Sequence, residues 1–370
     1  MTSHKKRILQ IVPAMSKESG VMRYVWNMLS GSNREEFKFD FLYHIPSSVT
    51  FEKEAIASGS QLIQAPDVAK DPIGYIRYVN SFFREEGCHY AIVHCHVPNT
   101  AFCALRAAAN AGVECRILHS HLAASSEHMS HRIRNYPLIR YGKRFATHNA
   151  ACSEEAGCYL FGRKPFQIFR NGIDVDKFRY DEGAARVLKD QLLSDPSAFP
   201  VIGCVGRLAK QKNYPFMLKV FQELLKKEGR AEMLIAGSGP EEKRIAQLVI
   251  QMGLQEKVHM LGIREDVNKL YSIMDVMAMP SLCEGLPVAA VEAQAAGLRC
   301  VFSSDVPAEA DIASVSSFVD RNAPLSDWSY ALMDLALKGR NVNGEKSVVD
   351  AGYSLQSSSA LLFDFYRSIA

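Results

Sequence analysis

Glu284-Gly285-Leu286-Pro287-Val288-Ala289-Ala290-Val291-Glu292, running on through Ala293-Gln294-Ala295-Ala296-Gly297, is the stretch around which the rest of the chain reads. Pro287 suits the first position of a helix, because its missing N–H would have no partner there. Gly297 suits the far end, where a left-handed residue commonly closes the last turn. The pattern predicts a short helix whose first turn presents free N–H groups just after Glu284. Such amides, at the positive end of the helix dipole, hold anions and most often phosphate. Glu284 stands on the turn beside that site, and Glu292 lies roughly two turns into the helix. A carboxylate repels phosphate, so the two acids are better suited to accept hydrogen bonds from hydroxyls. Phosphate and hydroxyls together describe a sugar nucleotide. Small-residue helices also pack on sheets, and an acid at a helix start is commonly a dipole partner, so the rest of the chain has to decide.

Its 370 residues predict two domains of ordinary size. Hydrophobic residues at 48% and charged residues at 22% describe a soluble globular protein. A formal net charge of +3 gives no argument for a nucleic-acid partner. The nine cysteines form no Cys-x-x-Cys pair. Cys88, Cys95, Cys103, Cys204 and Cys300 sit in apolar surroundings and read as buried free thiols of a reducing compartment, hence a cytoplasmic protein. Lys5-Lys6-Arg7 before Ile8–Val12 mimics a signal peptide, but the apolar run is too short and reads as a first strand. No run approaches the length of a membrane span.

Strands read at Ile8–Val12, Phe39–Tyr43, Gln61–Ala65, Tyr90–His94, Arg116–His119 and Asn149–Cys152, with helices after Gly20 and over Ile73–Phe83 and Ala101–Ala111. Ser153 suits the N-cap of a further helix. The second half repeats the alternation. Strands read at Val201–Val205, Glu232–Ala236, Val258–Leu261, Val276–Met279 and Cys300–Ser303, the last clear one. Helices read from Tyr214, over Glu241–Met252 and Leu270–Met274, and from Ser354 to Ile369. Alternation of this kind predicts α/β architecture, two Rossmann-like doubly wound domains with ligands beyond the carboxyl ends of the strands. The polar segment Asp181–Pro200 reads as the boundary, giving a first domain over 1–180 and a second over 181–353.

His94-Cys95-His96 and His119-Ser120-His121 each close a strand. Residues two apart share a face, so two such pairs suggest a zinc cluster. Catalytic zinc usually adds a carboxylate or cysteine at suitable spacing, and none is evident. The better reading is that His119 or His121 contacts substrate while the other imidazoles satisfy loop backbone groups. Asp174-Val175-Asp176 spells Asp-x-Asp, but it follows Asn171-Gly172 in what reads as a connection and is not taken as a metal site. The stretch from His128 to Ala151 carries no acid, and Arg132, Arg134, Arg140, Lys143 and Arg144 are interleaved there with Ile133, Tyr136, Leu138, Ile139 and Tyr141. It suits either a solvated basic face or an anionic membrane surface. In the second half, Arg207 and Lys212 bracket a loop at the end of a strand, an arrangement that suits a diphosphate.

Assembled in order, these residues resemble the retaining glycosyltransferases of family 4, which have the GT-B fold. The resemblance rests on Gly206-Arg207-Leu208 with Gln211-Lys212-Asn213, on Gly237-Ser238-Gly239-Pro240, and on Pro280-Ser281 through Glu284-Gly285-Leu286-Pro287 to Glu292. Val93-His94-Cys95-His96, Cys152-Ser153-Glu154 and Asn171-Gly172-Ile173-Asp174 stand in the family's order in the first half, so nearly the whole chain is covered.

The resemblance implies that the two domains face each other across a cleft and that the last helix, 354–370, returns to the first domain. It implies that Arg207 and Lys212 bind the donor diphosphate and that Glu292 accepts from the ribose hydroxyls. Glu284 would face the donor sugar, with the N–H groups near Gly285 and Leu286 around sugar and phosphate and Pro287 beside them at the donor. His119 would approach the sugar from the first domain, and Gly206 and Gly20 would lie in glycine loops near the diphosphate. Relatives usually have two adjacent glycines where this chain has Ser19-Gly20. The implied chemistry is transfer of a sugar from a nucleotide-diphosphate donor to a hydroxyl, with retained configuration and with Arg207, Lys212 and the helix N-terminus replacing a metal. Glu284, His119, Arg207 and Lys212 are the expected catalytic set, with no metal and no cofactor beyond the nucleotide sugar. The expected acceptor is a lipid-linked saccharide of cell-surface polysaccharide synthesis, with peripheral contact at the inner membrane face. A sugar-nucleotide epimerase and a non-catalytic sugar-nucleotide-binding protein are the alternatives. A nicotinamide dehydrogenase is disfavoured, since neither half carries Gly-x-Gly-x-x-Gly between strand and helix.

Overall fold

The computed structural model describes residues 5–17, 19–30, 36–121 and 129–370, with the side chains of 129–133 outside that description. The chain divides into two units, one of 1–172 with 355–370 and one of 173–354.

The first unit runs β1 (Lys6–Ile11), α1 (Gly20–Ser30), β2 (Phe37–Tyr43), α2 (Glu52–Ala57), β3 (Leu62–Gln64), α3 (Pro72–Glu86), β4 (Ile92–Cys95), α4 (Ala101–Asn110), β5 (Cys115–Ser120), α5 (Met129–Gly142), β6 (His148–Ala151), α6 (Glu154–Phe161) and β7 (Gln167–Ile168). Among the described residues its seven strands are parallel in the order β3-β2-β1-β4-β5-β6-β7. Successive residues of a strand face opposite sides. Leu9 and Ile11 therefore join Tyr75, Val79 and Phe83 of α3 and Leu105 of α4. Ile8 joins Val25 and Met28 of α1 on the other face. Asp71 caps α3 by accepting from Gly74 N at 2.8 Å, and Ser153 caps α6 by accepting from Ala156 N at 3.2 Å.

The second unit runs α7 (Glu182–Leu192), β8 (Val201–Val205), α8 (Tyr214–Leu225), β9 (Glu232–Ala236), α9 (Glu242–Gln251), β10 (Val258–Gly262), α10 (Val267–Ile273), β11 (Val276–Met279), α11 (Val288–Ala295), β12 (Arg299–Ser303), β13 (Ser317–Val319), α12 (Leu325–Leu337) and α13 (Gly344–Asp350). Six parallel strands lie in the order β10-β9-β8-β11-β12-β13. Ile202, Met233 and Val301 pack toward Phe221 and Trp328, and Val201, Leu234 and Phe302 toward the face that carries Ala290 and Val291 of α11. The chain then returns to the first unit as α14 (Leu355–Ile369), whose Leu362, Phe363 and Tyr366 share a core with Ile8 and Phe39.

Four sequence readings change. The units exchange at Gly172–Ile173, ahead of Asp181–Pro200, because Ile173, Val175 and Phe178 are already buried in the second unit's core. The polar segment holds α7, an amphipathic helix that buries Ala185 and Leu188 behind an Asp181 cap. Pro287 is the N-cap of α11 at φ −76° and ψ 116°, one position earlier than expected, and Cys300–Ser303 is followed by the short edge strand β13. Gly297, at φ +77°, has the left-handed backbone expected of it. Among the described residues no helix is long and apolar enough to cross a membrane.

Candidate active site

In the second unit the loops that leave β8, β9 and β10 are stitched together by backbone. Gly206 N donates to Ala236 O, Leu208 N to Ser238 O, Gly237 N to Gly262 O and Glu241 N to Leu208 O, at 2.8–3.0 Å. The crossing needs glycine. Gly237 sits at φ +138°, and a Cβ there would meet Gly206 O at 2.0 Å. Gly206 itself lies at φ +147°, and its carbonyl accepts from the Tyr214 hydroxyl at 3.2 Å.

This crossing holds the loop from Gly206 to Asn213 at the end of the sheet. Asn213 takes a left-handed backbone at φ 55° between a short 3-10 turn over Lys210–Lys212 and α8. The loop is tied to the Glu284 turn by Leu282 N donating to Gln211 O at 2.7 Å and Gln211 Nε2 donating to Cys283 O at 2.5 Å. Lys212 Nζ then meets Glu284 Oε1 at 2.7 Å, with the lysine side chain 17% and the glutamate side chain 8% exposed. Arg207 is exposed, and its guanidinium makes no hydrogen bond or ion pair among the described residues. Gly285, Leu286 and Pro287 are buried, and among the described residues no side chain caps α11. Glu292 is half-buried a little over one turn into α11, nearer its start than expected, with Oε2 accepting from the Tyr271 hydroxyl at 2.9 Å. One unit therefore brings together Gly206, Arg207, Lys212, Glu284, the α11 N-terminus and Glu292. Sequence reading missed Tyr271, which fixes the acid, and quoted Gln211 within a motif without the role it has here in fixing the loop. It also missed Arg340, whose guanidinium donates to Ala296 O, Tyr271 O, Ser272 O and Met274 O, each at 2.8 Å.

Gly20 and His119 belong to the first unit. Gly20 is the first residue of α1, exposed, and a Cβ there would meet open space. His119 is fully buried and stands in a stack of four imidazoles at the carboxyl ends of β4 and β5. The His94 and His96 rings lie 4.1 Å apart, and those of His119 and His121 4.2 Å apart. His94 Nε2 lies 3.0 Å from His119 Nδ1, and His96 Nδ1 lies 2.8 Å from His121 Nε2. Burial pushes His94 and His121 down to about 3 and His96 and His119 well below the ordinary imidazole range. The expectation that the spare histidines satisfy loop backbone is replaced by ring-to-ring bonds. Nitrogens of His94, His96 and His119 come within 4.8 Å of one another, close enough to raise the zinc reading again. Stacked rings, however, direct their in-plane lone pairs side by side and not toward one point.

In the basic stretch, Lys143 turns inward and donates to Leu160 O at 2.6 Å, while Ile139 packs on the first unit's core. Arg134, Tyr136, Arg140, Tyr141 and Arg144 are exposed, and the side chains of Arg132 and Ile133, with His128, lie outside the described residues. Asp176 pairs with Arg179 at 2.8 Å.

Comparison with known proteins gives this arrangement a family. Residues 190–316, which hold the stitched loops, Lys212, Glu284 and α11, match the model described as glycosyl transferases group 1. The chain is 31% identical over 386 aligned residues to a putative glycosyltransferase EpsF of Bacillus subtilis, covering 99% of this chain and 98% of that one. It is 28% identical over 230 residues to the UDP-Gal:alpha-D-GlcNAc-diphosphoundecaprenol alpha-1,3-galactosyltransferase of Escherichia coli, covering 58% of each. Among solved structures, Anabaena Alr3699/HepE in complex with UDP-glucose superposes with a TM-score of 0.79 at 15% identity, covering 98% of this chain and 99% of that one. A full-length relative above 30% identity, a family model over the loops that build the site and a shared GT-B architecture agree: the chain belongs to the group 1 glycosyltransferases.

Proposed function

We propose that this glycosyltransferase moves a sugar from a nucleoside diphosphate donor to a hydroxyl of a lipid-linked saccharide, with retained anomeric configuration and without a metal. The carrying observation is the Lys212–Glu284 pair, with Arg207 exposed on the loop that holds Lys212, and the start of α11, which among the described residues no side chain caps. As the bond between the anomeric carbon and the leaving oxygen breaks, charge grows on the diphosphate. Arg207, Lys212 and the α11 amides supply the positive field a metal would otherwise provide. Glu284 faces the sugar and Glu292, steadied by Tyr271, accepts from the ribose hydroxyls. Gly206 gives the diphosphate close approach to backbone, and His119 and Gly20 serve the donor from the first unit. The acceptor hydroxyl attacks the face that the leaving group vacates, and its proton departs with the diphosphate.

The acceptor class draws support from the lipid-diphosphate substrate in the name of the Escherichia coli relative, which also favours a uridine nucleotide. Exposed arginines alternating with exposed Tyr136 and Tyr141 suit peripheral contact with an anionic cytoplasmic membrane face. The test is transfer from α-linked nucleoside diphosphate sugars to lipid-linked saccharides in chelator, with the product's anomeric proton read by NMR. An α product formed at undiminished rate is expected. A β product overturns retention, and loss of rate restored by a divalent cation overturns metal independence. Cosedimentation with anionic vesicles, reduced in Arg140→Glu, tests the membrane contact; background sedimentation of the unaltered chain removes it.

A further inference from the structure

Gln10 is a polar residue inside an apolar strand, 1% exposed, and both ends of its amide are engaged. Its Nε2 donates to the Tyr366 hydroxyl oxygen at 3.0 Å, and its Oε1 lies 2.8 Å from His96 Nε2. Tyr366 Oη lies 2.7 Å from His94 Nδ1. An amide nitrogen cannot accept, so the Tyr366 proton has one acceptor in these contacts, His94 Nδ1. His94 then carries its proton on Nε2 and donates to His119 Nδ1, which leaves the His119 proton on Nε2. On the other branch, Gln10 Oε1 requires the His96 proton on Nε2, so His96 Nδ1 accepts from His121 Nε2–H. One amide orientation therefore dictates Nε2–H at all four rings, and the opposite orientation would dictate Nδ1–H at all four. The order matters because burial keeps each ring neutral, with a single proton to place.

The wire ends on an open position. Among the described residues His119 Nε2 is buried with no hydrogen-bond partner, as is the hydroxyl of Tyr24, whose ring meets the His119 ring edge-on at 5.2 Å. We propose that Gln10 sets the tautomers of the four imidazoles, through Tyr366 on one branch and His96 on the other, and thereby holds His119 as a hydrogen-bond donor toward a sugar oxygen. This rests on the proposed reading that His119 meets the donor sugar. Gln10 and Tyr366 are positioning residues in this account; they touch no substrate.

The experiment is long-range proton–nitrogen correlation NMR of the full chain labelled with 15N-histidine near neutral pH, the four rings being assigned by single substitutions. All four should show the Nε2–H pattern. In Gln10→Glu a carboxylate accepts from both neighbours, so Tyr366 turns its proton to residue 10. His94 and His119 then switch to Nδ1–H while His96 and His121 stay unchanged. Tyr366→Phe, which keeps the ring packing, should leave His94 and His119 as mixtures. Turnover in both variants should fall roughly tenfold to hundredfold, with KM for the nucleotide sugar within about twofold. An Nδ1–H pattern in an active unaltered chain overturns the order and leaves the functional reading standing. An Nε2–H pattern in a chain that transfers no sugar does the reverse. A tautomer switch with unchanged turnover overturns the positioning role.

Discussion

Lys212 Nζ and Glu284 Oε1 lie 2.7 Å apart and largely shielded from water, although one residue ends the loop after β8 and the other precedes α11. The pair balances a carboxylate that would otherwise be buried alone, and in the proposed reading it keeps the lysine charge where a diphosphate would arrive. Lys212→Ala should cost about 3 kcal/mol of stability, because an uncompensated buried charge remains. It should also lower turnover by roughly a hundredfold to a thousandfold. Denaturant melts and initial rates check both; a variant that melts and turns over like the parent contradicts the assignment.

Gly237→Ala tests the loop crossing. The new methyl would stand 2.0 Å from Gly206 O at a backbone angle that disfavours side chains. A loss of roughly 3 kcal/mol is expected, combining strain and overpacking, with weakened donor binding. Gly59→Ala, at φ +81° with open space around it, is the control for backbone strain alone and should cost less.

The histidine stack makes the first unit acid-sensitive. In the folded chain His94 and His121 are lowered to about 3 from 6.5, and His96 and His119 are held well below the ordinary imidazole value by burial and by their neighbours. The unfolded chain takes up these protons near pH 6.5 and the folded chain refuses them. Stability is therefore fully present above 6.5 and lost as pH falls toward 3, at about 1.4 kcal/mol per pH unit for each site. Histidine ring proton signals from the four residues should stay fixed between about pH 8 and 5.5 while the unfolding midpoint falls; titration of any of them in that range contradicts the account.

Arg340→Ala should destabilise the second unit by roughly 3 kcal/mol, since four carbonyls at the ends of α10 and α11 lose a charged donor. Arg340→Lys should recover part of it, a point charge serving fewer of those oxygens. Differential scanning calorimetry reads both, and equal melting of Arg340→Ala and the parent would contradict the capping role.

Buried parallel strands were the most legible part of the sequence. Val201–Val205, Glu232–Ala236 and Val276–Met279 have the bounds their apolar runs predict, because both faces of such strands are covered. Helix α7 was hidden, since two buried positions in a polar segment leave a weak pattern. The candidate site residues were legible as motifs, but their partners were not. Tyr271 reaches Glu292 from another helix, and Gln10 reaches Tyr366 across 356 positions, distances over which local patterns carry no signal. The visible trace of that network was a glutamine in the middle of an apolar strand.

The central claim is that the second unit holds a nucleoside diphosphate sugar between Arg207, Lys212, the start of α11 and Glu292. Thermal stabilisation by uridine, guanosine and adenosine diphosphate sugars, run without metal, tests it most directly. The account predicts a rise in Tm with one nucleotide, absent in Arg207→Ala and Glu292→Ala chains that are themselves folded. A folded parent chain that no nucleotide sugar stabilises, or equal stabilisation of parent and both variants, would contradict it.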